Sequence, residues 1–234
     1  MNYSSERYKA ECKNLQASKA SFIILNDEIK KHIRLNEEGK VNCILPFLLL
    51  NTSMIIENYL YKILNSKHLP YSVRCNVYDE RSFVKKWKIL ITKCVTNQYG
   101  CEIEDLEFTD RKKYQEILLF VDEIKTLYEL RNKFAHGELR RGFNNDRSEI
   151  NNDKTREILC VSYFDILRAK KSFDAISDLL IYTVESPKSF RKYFDKHYAR
   201  FEKLKDTYDN SNYEAYKKEL MFRYKNGKKI RNLD

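Results

Sequence analysis

One short segment of this chain carries groups able to do acid–base and phosphate chemistry together: Arg131-Asn132-Lys133-Phe134-Ala135-His136. Arginine presents a permanently charged planar fork that matches a phosphate. Histidine takes or gives a proton near neutral pH. Asparagine, both donor and acceptor, can hold either one in orientation. On a helix Asn132 and His136 are four apart and share a face, and the long Arg131 side chain swings toward the same place. A helix over 110–136 puts Ile117, Phe120, Val121, Ile124, Leu127 and Tyr128 on one apolar stripe, which continues through Arg131 to Phe134 and Ala135. An arginine in the middle of such a face is costly unless something anionic or polar meets it. Two partners stay open at this point: a bound phosphate, or a carboxylate of the chain itself such as Glu57. His136 also has two readings, a proton carrier or a last-turn residue favoured by the helix dipole, with Gly137 as an ordinary residue just past the helix end.

The rest of the chain is expected to position that segment with helices. Five Gly and three Pro in 234 residues are too few for the turns of a β-rich fold, whereas long helices need few turns. Helical spacing recurs along the chain. A helix is expected over 5–38, broken near 17–21 and closed by Gly39. The most apolar helix spans 42–66, with Pro46 in its first turn and Leu45, Leu48, Thr52, Ile55, Tyr59 and Ile63 on one face. It should be the central core helix. Residues 68–79 read as a connection and 80–97 as a helix. Thr109 or Asp110 should cap the helix that ends at His136. A polar loop over 137–154 precedes a helix over 155–184. Residues 1–186 are expected to form the main helical domain, and 187–234 a basic helical tail rich in Tyr and Lys.

Composition narrows the function classes. The longest apolar run, Cys43 to Leu50, is far short of the ~20 residues of a spanning helix. The N-terminus opens no apolar signal core, so a cytoplasmic protein is expected. Cys12, Cys43, Cys75, Cys94, Cys101 and Cys160 form no Cys-x-x-Cys pair and have no ligand spacing with His32, His68, His136 or His197. They read as reduced thiols, with no metal site. The net charge is +10, and residues 186–234 hold 14 Lys/Arg against 7 Asp/Glu. That surface either attracts polyanions, nucleic acid above all, or is a solvated helical face. The tail residues Tyr193, Tyr198, Tyr208, Tyr213, Tyr216 and Tyr224 could stack on single-stranded RNA or pack half-buried with wet hydroxyls. The stretch Lys225–Arg231 reads as an RNA-contacting end or a frayed terminus. No Walker loop, dinucleotide turn or nucleophile elbow is present.

The octet Leu130-Arg131-Asn132-Lys133-Phe134-Ala135-His136-Gly137, set in an all-α chain, resembles the HEPN family. Nuclease members of that family carry an Arg and a His separated by four to six residues, often with Asn after the Arg, Ala before the His and Gly after it. The likeness covers about 42–184 by helix order, and outside the octet it is architectural. The resemblance implies a bundle of four to five core helices with extra N- and C-terminal helices. It also implies a homodimeric, metal-independent endoribonuclease that needs no cofactor. Arg131, Asn132 and His136 would be its catalytic groups, and Lys133, Arg140 and Arg141 its RNA-binding cations. Such proteins act as toxins or anti-phage effectors, with an antitoxin or defence-system partner. The alternatives are a non-catalytic HEPN scaffold that binds RNA or a protein, and an unrelated helical interaction protein. One position departs from the pattern: Glu138 stands where partner-silenced members often have a tyrosine, which puts control by adenylylation in doubt.

Overall fold

The most apolar stretch forms the helix around which the others pack. In the computed structural model, which describes residues 4–146 and 148–225, it runs as α2 from Glu38 to Leu64. Leu48, Leu49, Ile55, Leu60, Ile63 and Leu64 are essentially without solvent contact. Helix α1 (Ser5–Arg34) lies along α2 over most of its length. Its expected break does not occur. Ser18 and Ser21 turn their hydroxyls back onto the carbonyls of Asn14 and Ala17, and Ser18 also accepts from Asn58 of α2 at 2.9 Å. Nor does Gly39 close α1. Asn36 takes the left-handed conformation at φ 57°, and Gly39 lies in the first turn of α2. The earlier start of α2 leaves Pro46 inside the helix rather than in its first turn, at the cost of one backbone hydrogen bond.

By length and composition α2 is apolar enough to cross a membrane, contrary to the reading from run length; 56% of its most apolar window is buried inside the protein. Asn51, Thr52 and Ser53 interrupt the apolar run without adding charge, so the length of the run understates the hydropathy of the helix. All three are buried here.

Residues 71–79, expected as a connection, form helix α3 (Tyr71–Asp79). Its buried Arg74 donates to the Ser66 carbonyl at 2.5 Å and so ties α3 to the end of α2. Helix α4 (Phe83–Tyr99) starts at a Ser82 cap and ends at Gly100, φ 74°. Helix α5 (Phe108–Glu123) begins without the expected Thr109 or Asp110 side-chain cap. A separate helix, α6 (Lys125–Ala135), follows it. The expected loop is shorter than 137–154. Within it β1 (Gly142–Phe143) pairs antiparallel with β2 (Ile150–Asn151), and Asn151 caps α7 (Asn152–Leu159). Gly142 is needed for close approach, since a Cβ there would lie 2.4 Å from Cβ of Lys154. Helix α8 (Tyr163–Glu185) returns through the core against α2 and α4.

The tail forms α9 (Phe190–Asp209) and α10 (Tyr213–Lys225). Helix α9 lies on α8 and α10 on α1, and Phe190, Phe194, Phe201 and Leu220 join the same continuous core as α2. Most of its tyrosines pack: Tyr193 stacks on Tyr182 at 4.3 Å, Tyr198 donates to Glu116 at 2.8 Å, and Tyr213 donates to Glu38 at 3.3 Å. Residues 226–231 of the basic end lie outside the described residues. The fold is an all-α bundle with, among the described residues, one short two-stranded ribbon. All six cysteines are unpaired thiols.

Candidate active site

The motif helix α6 is set by a break. At Ile124 the chain leaves α5 with ψ −3° and starts again, so the 100°-per-residue wheel does not run unbroken from Ile117 to Ala135. The buried positions of α6 are Leu130 and Phe134. Leu127, Tyr128 and Arg131 are half-buried, and Ala135 is exposed. Arg131 therefore sits at the margin of the apolar face and not in its middle.

The C-terminal end of α6 is closed by its own backbone. The Gly137 N–H donates to the Phe134 carbonyl and the Glu138 N–H to the Lys133 carbonyl, both at 3.0 Å. This is the Schellman arrangement, with Gly137 at φ 82° as its left-handed residue. It makes His136 the cap residue, exposed and one turn beyond Asn132. The chain after the cap is tied down as well, because Glu138 accepts from the Phe143 N–H at 3.2 Å.

Arg131 is held from two sides. Its Nη1 donates to Oδ1 of Asn132 at 2.9 Å, and its Nη2 to Oε2 of Glu57 at 3.4 Å. The guanidinium also lies 5.4 Å from the centre of the Tyr128 ring. The Tyr128 hydroxyl donates to the other Glu57 oxygen at 2.7 Å, and its ring stacks on Phe83 at 4.1 Å. Burial, with Glu57 beside it, holds the Tyr128 phenol well above its ordinary range, so it remains a donor. Of the two partners left open for Arg131, the chain's own carboxylate is the one it meets in the monomer. Arg131 and Glu57 are each 27% exposed, and these contacts use two of the guanidinium's five donors.

The three expected RNA-binding cations do not converge. Lys133 is ion-paired with Glu157 of α7. Arg140 reaches Sγ of Cys43, near the start of α2, at 3.6 Å. Arg141 is exposed on the segment leading into β1. On the apolar stripe Tyr128 reads as a packing residue, and the structure adds its hydrogen bond to Glu57. The only signal available was a hydroxyl on a position that packing alone could fill with Phe. A cavity of about 320 Å³ beside α6 is lined by Leu127, Leu130, Glu157 and Arg168, and none of Arg131, Asn132 and His136 borders it. Among the described residues no three His, Cys, Asp or Glu side chains are grouped as metal ligands would be.

Chemically, the end of α6 offers a fixed cation, an amide oriented by it, and an exposed imidazole on a rigid cap. Comparison with protein-family models, with curated proteins and with solved structures gave no match.

Proposed function

We propose that this protein is an endoribonuclease of the HEPN type, which cleaves single-stranded RNA by attack of a ribose 2′-OH on the adjacent phosphate. The observation that carries the reading is the placement of Arg131, Asn132 and His136 on one capped helix end, in the octet that resembles the family motif. A 2′-OH attacks only when a base takes its proton, and His136 is the one side chain of the three whose ring nitrogen can accept it. The phosphate gains negative charge as the P–O bond forms, and Arg131 meets that charge with a planar fork. Asn132 orients the fork. A second imidazole protonates the departing 5′-oxygen, which leaves a 2′,3′-cyclic phosphate and a 5′-OH. No metal ion takes part.

Two histidines imply two copies, so the working unit is a homodimer with the α6 ends facing each other across the axis. The surface of α2 supports this. Phe47 and Met54 are 51% and 49% exposed, and with Leu50 they form a stripe at three- and four-residue spacing that continues into Glu57, the anchor of Arg131. Exposed apolar residues in such a row suit a partner helix. Arg140 and Arg141, exposed beyond the cap, hold the RNA backbone. Lys133 does so once it leaves Glu157. An intracellular RNA target goes with the cytoplasmic location expected from the sequence. The role as a toxin or anti-phage effector, with a neutralising partner, rests on the family resemblance.

A second reading is a non-catalytic scaffold of the same fold, and the Arg131–Glu57 contact favours it, since the guanidinium already has an internal carboxylate. The assay that decides is incubation of the protein with single-stranded RNA in EDTA. Cleavage to cyclic-phosphate ends, lost in His136→Ala, is the expected result. Full activity of His136→Ala, or a requirement for Mg²⁺, overturns the mechanism. No cleavage by the folded wild type under any condition tried leaves the scaffold.

A further inference from the structure

A cleft of about 850 Å³ lies between α1, α8, α9 and α10, and no residue of α6 contributes to it. Each of the four helices brings cations to its wall: Lys30, Lys170 and Lys171, Arg200 and Lys203, and Arg223. Only two carboxylates, Asp27 and Glu219, stand among the lining residues. Some of this charge is answered locally. Lys170 pairs with Asp174 at 2.7 Å, Arg200 with Asp178 at 3.2 Å, and Arg223 with Glu219. Lys30 and the exposed Lys203 enter no ion pair among the described residues. A concave wall with an excess of positive charge over low-dielectric protein concentrates anions. Lys30 and Lys203 stand on separate helices, α1 and α9, which suits a ligand with several phosphates in a row better than a single phosphate.

The same cleft contains aromatic rings. Phe164 lies 4.6 Å from Tyr208 and 6.0 Å from Tyr216, centroid to centroid, and all three are half-buried cleft residues. Rings beside a basic track are what single-stranded nucleic acids use, because every base has a face to stack. An acidic peptide would use the lysines but has no base to lay on the rings.

We propose that this cleft binds single-stranded RNA, as a contact for the strand separate from the end of α6. The choice of RNA rests on the ribonuclease reading; the polyanion chemistry does not. The test measures binding apart from cleavage, by fluorescence anisotropy of a labelled RNA of about 20 nucleotides, with every protein in the His136→Ala background so that the strand stays intact. Lys30→Glu with Lys203→Glu is compared with Lys9→Glu and Lys13→Glu, two exposed positions of α1 outside the cleft that change the net charge equally. The cleft variant should weaken binding about tenfold or more, with the slope of log K against log salt reduced by about 1.4, as two lost phosphate contacts require. The control should weaken it by less than about threefold. The single change Lys203→Gln, at an exposed site, should give a smaller loss in the same direction and serves if the double variant does not fold.

Equal losses in cleft and control variants overturn the proposal, as does a His136→Ala protein with the cleft unchanged that binds no RNA. A polyglutamate that competes as well as RNA of equal length overturns the RNA assignment. Separate cleavage assays with His136 intact keep the two claims apart. Cleft-dependent binding with no cleavage upholds the cleft and sinks the ribonuclease reading. Cleavage with binding indifferent to the cleft does the reverse.

Discussion

Replacing Arg131 by alanine separates a catalytic arginine from a structural one, because the structure bounds what the substitution can cost in stability. The variant loses a 3.4 Å ion pair to Glu57 in which both side chains are 27% exposed. Partly solvated pairs of this kind contribute about 0.2–1 kcal/mol. It also loses the contact with the Tyr128 ring at 5.4 Å, worth about 0.5–1 kcal/mol at an exposed site. Glu57 keeps the Tyr128 hydroxyl as a donor, so no buried carboxylate is orphaned. The total is about 0.7–2 kcal/mol, or about 1–8 °C in Tm for a chain of this size. Against a stability of about 5–15 kcal/mol, such a loss leaves nearly all of the protein folded. If Arg131 meets the phosphate in the transition state, the rate should nevertheless fall by about 10²–10³. Arg131→Lys should recover only part of it, since an ammonium lacks the fork. Thermal denaturation and initial rates of RNA cleavage, measured on the same preparations, decide. An Arg131→Ala variant that loses the expected few degrees but cuts RNA within about threefold of wild type would refute the catalytic role, because it falls well short of the loss expected from one transition-state donor.

Three further outcomes follow from particular contacts. Phe47→Asp combined with Met54→Asp puts charge on the exposed α2 stripe and should convert a dimer to a monomer in sedimentation at tens of micromolar; a wild type that is itself an active monomer there refutes the dimer. Gly137→Ala places a Cβ in open space but at φ 82°, so it should cost about 1–2 kcal/mol through backbone strain alone; an unchanged Tm would show that the cap relaxes. His197 is stacked on Tyr182 at 5.1 Å with a buried Nδ1 that lacks a hydrogen bond, and burial lowers its pKa below 6.5, against the raising effect of Asp178. The unfolded chain therefore binds the proton more readily than the folded one. His197's contribution should be fully present above about pH 6.5 and decline as pH falls toward the lowered folded value. A His197→Phe variant with the same acid dependence of Tm would show that another group controls it.

The sequence by itself determined the helical class, because scarce Gly and Pro leave few ways to turn and apolar residues recur at helical spacing. It also marked the candidate site. Arg131, Asn132 and His136 are local in the chain, and a helix end followed by Gly137 dictates its own cap through backbone geometry. Asn132 and His136 needed no other part of the molecule to be placed one turn apart.

Tertiary structure decided what depends on phase and on partners. The break at Ile124 re-set the wheel and moved Arg131 from the middle of the buried face to its edge. Nothing in the run from Phe108 to Ala135 marks that break, since no Gly or Pro stands there. Glu57 was legible as a candidate partner for Arg131, but its contact with Tyr128 spans 71 positions and exists only because α2 and α6 lie side by side. The basic cleft has the same origin. Its cations lie on α1, α8, α9 and α10, and in the linear chain they are ordinary solvated lysines and arginines. Helical periodicity says which face of a helix is apolar within an unbroken run. Which helices become neighbours, and therefore which polar groups meet, is set by how those faces are buried together.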